Sequence, residues 1–113
     1  MLGCDIIEID RIRVSFEKYG DSFLDRILSK EELEIFLKRG KKVEFLAGRF
    51  AAKEAIAKAF KTGIGKNLAF NNISILPDEN GALKVLIDKK MRNDIEVSIS
   101  HCHSYAMAVS IIK

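Results

Sequence analysis

The chain contains no tryptophan, and aromatics make up only 8% of its 113 residues, most of them phenylalanine. The net charge is a mild +3. Nucleic-acid binders carry a denser basic stripe, often with exposed aromatics, so no nucleic-acid partner is expected. A weak attraction to an acidic partner stays open. No apolar run approaches the ~18 residues that a membrane span requires, and MLGCDIIEID is too acidic and too short for a secretory signal. No membrane association is expected. Cysteine is scarce as well: Cys4 and Cys102 fall in stretches of strand composition and form no spaced framework. Free thiols in a reducing compartment follow, and the expected location is the cytoplasm.

What is present is globular. Apolar residues make up 48% and charged residues 31%, enough for one domain spanning 1–113 with a modest core. LGCDIIEI reads as a strand whose alternation places Asp5 on one face with Ile7 and Ile9. RIRVSFEKYG and DSFLDRIL read as helical turns broken at Gly20-Asp21. SKEELEIFLKRG opens on Ser29 as N-cap with Glu32 as its capping-box partner, and stops at Gly40. A longer helix is expected from about Val43 to Phe60, closed by KTGIGKN. The period then changes to two, with NISIL, ALKVLI, EVSIS and YAMAVSII as strands. PDENG is a hairpin turn in which Asn80-Gly81 supplies positive backbone angles. The order gives an α+β class, with helices packed on a largely antiparallel sheet.

The stretch RFAAKEAIAKAFKTGIGKN holds the first chemical question. On a helical wheel, Leu46 to Phe60 is apolar at almost every azimuth, which marks a buried helix. Two narrow polar arcs interrupt it, Glu54 with Lys58 and Arg49 with Lys53. Glu54 and Lys58 are four apart. They fit either an exposed ion pair or a half-buried carboxylate and ammonium lining a cleft. The turn matches neither phosphate motif. A Walker loop needs glycine at Phe60 and a hydroxyl at Asn67, and the dinucleotide fingerprint needs glycine at Leu68 after a strand. Two glycines near lysines can still bring backbone N–H groups to phosphate oxygens, or simply end a helix.

Asp5 is the second question. A carboxylate on an apolar strand face is costly unless it is paired or bound to a cation. An Asp and a Glu from separate elements suit a hard cation such as Mg²⁺ that keeps waters and holds phosphates. A local pairing with Arg11 or Arg13 is the alternative. His101 and His103, two apart, allow zinc with a cysteine, but such a site needs more ligands than this stretch supplies. A Cys–His nucleophile pair is undersupported too, because neighbours on a strand point to opposite faces. Ser100-His101 at a strand end is better suited to offer donors to an anion.

Four segments in order carry a family resemblance over nearly the whole chain: GCDIIEIDRI, FLDRILSKEELEIF, FLAGRFAAKEAIAKAF and SISHCHSYAMAVSII. Together they resemble holo-[acyl-carrier-protein] synthase, the small bacterial phosphopantetheinyl transferase. The resemblance implies transfer of 4′-phosphopantetheine from coenzyme A to a serine of apo acyl carrier protein, releasing adenosine 3′,5′-bisphosphate, in fatty acid biosynthesis. It implies Mg²⁺ held by Asp5 and Glu54, and Lys58 near the pyrophosphate. Gly63 and Gly65 match a turn beside the coenzyme, and Arg49, Ser100 and His101 match positions contacting its adenosine phosphates. Arg11 matches a basic residue that docks the acidic carrier. The implied assembly is a homotrimer with coenzyme A in clefts between subunits. Three differences stand out: Lys61 where relatives often have glycine, HCHS for an HTKD-like run, and Asp21 and Asp25 where relatives often have bases.

The residues agree with that chemistry. Moving a phosphoryl group from a pyrophosphate to a hydroxyl requires positioning and charge neutralisation above all. Glu54, directly or through a metal-bound water, is the expected acceptor of the serine proton, and Lys58 the group that offsets leaving-group charge. A non-catalytic coenzyme-binding module and a basic RNA-binding domain are the rival readings. The first leaves carrier protein unmodified, and the second loses nucleic-acid affinity steeply with salt.

Overall fold

The computed structural model of the chain describes residues 1–61 and 69–113. Strand β1 (Leu2–Glu8) runs directly into helix α1 (Ile9–Tyr19), followed by α2 (Asp21–Ile27), α3 (Lys30–Lys38) and α4 (Val43–Phe60). A 3-10 turn at Phe70–Asn72 leads to β2 (Ile73–Pro77), β3 (Leu83–Ile87), β4 (Lys90–Met91), β5 (Ile95–His101) and β6 (Tyr105–Ile112). The class is α+β with antiparallel pairing, as expected. The strands form two sheets rather than one, ordered β1-β6-β5 and β2-β3-β4.

Local signals explain the helix ends. Gly20, at φ +54°, separates α1 from α2. The Ser29 hydroxyl accepts from the Glu32 amide at 3.3 Å, and the Glu32 carboxylate accepts from the Ser29 amide at 2.9 Å, completing the capping box. At the other end of α3, Gly40 takes φ +81° while Gly40 and Lys41 donate to Leu37 and Phe36 carbonyls, a Schellman closure. Helix α4 ends at Lys61, a lysine at φ +60° where glycine is the unstrained choice.

Helix α4 is the centre of the molecule. Its alanines and Ile56 pack against Ile73, Ile75 and Val85 of the second sheet and Ile95, Ala108 and Ile112 of the first. Its N-terminal half, with Phe45, Leu46 and Ala47, joins Ile9, Ile12, Leu24, Ile27 and Phe36 of the other helices. An all-round apolar helix is buried here because sheets and helices cover it from several sides.

Four local expectations change. Ile9 begins α1 instead of continuing β1. In the 78–82 turn only Gly81 has a positive φ; the Asp78 carboxylate accepts from the Asn80 and Ala82 amides and does the rest. Strand β4 went unread because its hairpin turns through Asp88 and Lys89, both at positive φ, without glycine. Cys102 lies in the turn after β5, while Cys4 is in β1; both are exposed free thiols. The turn with Gly63 and Gly65 lies outside the described residues.

Close approach of β1 to α4 depends on Gly3. A Cβ there would overlap the Ala55 carbonyl oxygen and the Ala59 amide, both backbone and unable to move aside. Gly3→Ala is therefore expected to cost about 2–3 kcal/mol, read as a lower urea midpoint at unchanged m-value.

Candidate active site

Alternation along β1 turns Gly3, Asp5 and Ile7 toward α4, and Asp5 meets the helix where Glu54 and Lys58 lie one turn apart. Lys58 Nζ donates to Asp5 Oδ1 at 2.9 Å. The Asp5 side chain is mostly covered, while Lys58 remains more than half exposed. The Glu54–Lys58 stripe divides between the two readings: Glu54 is half-buried and lines a cavity with Asp5, whereas Lys58 is exposed and bonds Asp5. Local pairing of Asp5 does not occur: Arg13 bonds Asp10 at 3.0 Å, and Arg11 lines the same cavity as Asp5 and Glu54.

That cavity is about 490 Å³ and is also bordered by Phe23, Phe50 and Tyr105. Burial, and secondarily the nearby Asp5 charge, push the Glu54 carboxyl above its usual value against the opposing pull of Lys58. The hydrogen bond to Asp5, then that carboxylate's charge, raises Lys58. Two carboxylates thus face one basin, with the exposed Lys58 ammonium bonded to one of them.

A second pocket, about 450 Å³, lies elsewhere on α4 and brings Arg49 together with His101. Arg39, Lys42, Phe45 and Gly48 complete most of its wall. The Arg49 guanidinium carbon sits 4.3 Å from the Phe45 ring centre. Its Nε donates to the Ile75 carbonyl at 3.0 Å. Burial foremost, helped by the charge of Arg39, lowers Arg49 to about 10 against the opposing effect of Glu32. It stays charged at neutral pH.

Ser100 is not brought to this pocket. It lies on the opposite, open face of the first sheet from His101. His103 is in the turn beyond β5 and borders a hollow with Glu8, Asp10 and Arg13. Among the described residues no cluster of three His, Cys, Asp or Glu side chains is placed to hold a metal, which leaves the zinc alternative without a ligand set.

The sequence reading missed a buried charge network. Lys53 Nζ, fully buried, donates to Glu32 Oε1 at 2.6 Å, the Ile27 carbonyl at 2.6 Å and the Phe70 carbonyl at 2.8 Å. Glu32 is fully buried too, and its Oε2 accepts from the Ile75 amide at 2.9 Å. Glu32 had a sufficient local role as a capping partner, which concealed a second one. The available signal was the Arg49–Lys53 arc, two cations on a helix with no polar face.

Comparison with known proteins places the chain in a family. Residues 1–110 match the 4′-phosphopantetheinyl transferase superfamily. A holo-[acyl-carrier-protein] synthase of Geobacillus is 50% identical, aligning 99% of this chain with 94% of that protein. The Bacillus subtilis holo-[acyl-carrier-protein] synthase is 44% identical, with 99% and 93% covered. The crystal structure of the Helicobacter pylori synthase in complex with coenzyme A superimposes with a TM-score of 0.86 at 33% identity, covering both chains completely. That of the Bacillus anthracis synthase in complex with coenzyme A (3′,5′-ADP) gives 0.80 at 39% identity, over 98% and 93%. The family match and the fold therefore define a transferase of the phosphopantetheinyl class. Within that class, the chain belongs to the holo-[acyl-carrier-protein] synthase family.

The raised Glu54 carboxyl has a measurable consequence. Its folded state favours the neutral acid, so the associated stability is full below the ordinary glutamate range and lost as pH rises through the raised value. Glu54→Gln, which cannot ionise, is expected to melt higher than the wild type near neutral pH without divalent metal. The difference should vanish by about pH 4. Calorimetry at the two pH values checks it.

Proposed function

We propose that this chain moves 4′-phosphopantetheine from coenzyme A to a serine hydroxyl of apo acyl carrier protein. The reaction is Mg²⁺-dependent, takes place in the cytoplasm and supplies carrier protein for fatty acid biosynthesis. The observation that carries this is Asp5 and Glu54 on one basin, with Lys58 bonded to Asp5, in a chain of this family.

The donor set fits Mg²⁺. Asp5 and Glu54 offer hard oxygens from two elements and leave coordination positions to water and phosphate, and Asp5 already attracts a cation in Lys58. When bound, the ion neutralises phosphate oxygens and lowers the barrier to displacement. The serine oxygen bonds to the phosphorus of the pantetheine arm, and the bond from that phosphorus to the bridging oxygen breaks. Adenosine 3′,5′-bisphosphate leaves. Glu54, whose carboxyl burial raises above its usual value, takes the serine proton. Lys58 offsets negative charge on the departing bisphosphate, and its exposure allows it to swing between Asp5 and phosphate.

Two features support the proposed partners. A hollow lined by Tyr19, Arg26 and Phe70 shares Ser15, Phe23 and Phe50 with the Asp5–Glu54 basin. With Arg11 in the adjoining basin, it suits an acidic carrier presenting an apolar patch beside its serine. Second, Arg49 and Glu54 are five residues apart, so on α4 they diverge by 5 × 100°, equivalent to about 140°. One coenzyme spanning the basin and the Arg49–His101 pocket is best served by clefts that join two copies. The open face of the first sheet carries Leu2, Ile6, Met107 and Ile111, all exposed. Its strand register puts Ile6 opposite Met107 and Leu2 opposite Ile111. Such an apolar face suits the interior of a homotrimer, and Ser100 lies on it opposite Met107.

Incubation with coenzyme A, Mg²⁺ and apo carrier protein should add a phosphopantetheine mass to the carrier. Glu54→Gln should abolish that addition while binding coenzyme A. A variant that loads carrier at the wild-type rate removes Glu54 from the chemistry, and a wild type that binds coenzyme without transfer identifies a non-catalytic module. Ile6→Glu should sediment as a monomer and lose transfer; a wild type that transfers as a monomer overturns the shared-cleft reading.

A further inference from the structure

The Glu32 carboxylate is wholly enclosed, yet it belongs neither to the Asp5–Glu54 basin nor to the wall of the Arg49–His101 pocket. Every polar neighbour it has is a donor. Oε1 accepts from the Ser29 amide and the Lys53 ammonium. Oε2 accepts from the Ile75 amide and lies 3.7 Å from Arg49 Nε. Only a full carboxylate accepts from all three of the Ser29, Lys53 and Ile75 donors, because a glutamine would present its NH₂ to a donor in either orientation; Arg49, whose Nε hydrogen goes to the Ile75 carbonyl, adds charge alone. The same Ile75 that donates its amide to Glu32 offers its carbonyl to Arg49 Nε. One edge of the guanidinium is thereby fixed and one face lies on Phe45. The terminal nitrogens make no hydrogen bond among the described residues and are not sealed from solvent.

We infer that Glu32 is a positioning residue for the coenzyme. Through Ile75 and its own charge it holds the Nε edge of Arg49, so that the terminal nitrogens face an anionic group entering from the His101 side. This rests on the proposed coenzyme reading. It assigns to a helix-capping glutamate, which lines neither cavity, a part in ligand affinity. A merely stabilising ion pair differs in one respect: its loss lowers the melting temperature without selecting the ligand.

Lys53 supplies the control, since Lys53→Met removes the buried pair with Glu32 and no atom of the Glu32–Ile75 or Ile75–Arg49 bonds. Coenzyme A affinity of the full chain is measured by calorimetry well below the melting temperature of each variant. Glu32→Gln is expected to bind about tenfold more weakly, the loss of one charge-supported contact. Glu32→Asp keeps the charge, withdraws the carboxylate by one methylene and should weaken binding by about threefold. It carries the test should the glutamine variant not fold. Lys53→Met should stay within about twofold of wild type despite melting lower. In an Arg49→Ala background, Glu32→Asp should have no further effect, and kcat at saturating coenzyme should be unchanged by Glu32→Asp alone. Wild-type affinity in Glu32→Asp, or losses in Lys53→Met that match its fall in melting temperature, overturns the inference. A wild-type chain that does not bind coenzyme A overturns the functional reading as well.

Discussion

A carboxylate sealed inside a small protein has to be met by donors on every side. Glu32 is met by two backbone amides, an ammonium and a guanidinium, drawn from the start of α3, strand β2 and helix α4. Lys53 extends this network to the end of α2 and the 3-10 turn through the Ile27 and Phe70 carbonyls. Replacing such a cluster with well-packed apolar groups can be neutral, but removing one member strands a buried charge at a cost of about 3–5 kcal/mol. The network therefore specifies more than it stabilises. Helix α4 is apolar nearly all round, so hydrophobic burial alone leaves its rotation poorly defined; two cations that must reach one carboxylate define it.

That rotation decides what the rest of α4 presents. With Lys53 directed to Glu32, Glu54 turns toward Asp5, and Arg49 reaches the pocket of His101. The two regions differ in kind. One has paired carboxylates with an exposed ammonium, suited to a metal and to phosphorus at the point of bond exchange. The other has two guanidinium groups, a lysine and an imidazole against an aromatic ring, with Glu44 its one acidic lining residue, so its excess of cations suits holding an anion without reacting with it. A phosphoryl-transfer enzyme needs both, since its work is largely placement and charge compensation.

Much of this was legible from local pattern. The Ser29–Glu32 box, the Gly40 stop, the extent of α4 and four of the later strands depend on residues within a turn or two of one another, and all appear where expected. Asp5 on the inward face of β1 follows from period two, and its misfit with apolar neighbours correctly marked it as needing a partner. The second hairpin was missed because Asp88-Lys89 adopts a glycine-like turn without glycine. The division into two sheets was missed because strand patterns carry no information on which strands pair.

By itself, the sequence determined most of the elements, the caps of α3 and the family resemblance, because each depends on short-range geometry or on residues matched in order. Which charges meet was decided only by the tertiary structure. A helical wheel shows that Glu54 and Lys58 are neighbours, but not that Lys58 bonds to an aspartate 53 positions away. It shows Arg49 and Lys53 as a second polar arc, but not the buried Glu32 opposite them. Azimuth is a local property; the partner across the gap depends on how α4 packs against everything else.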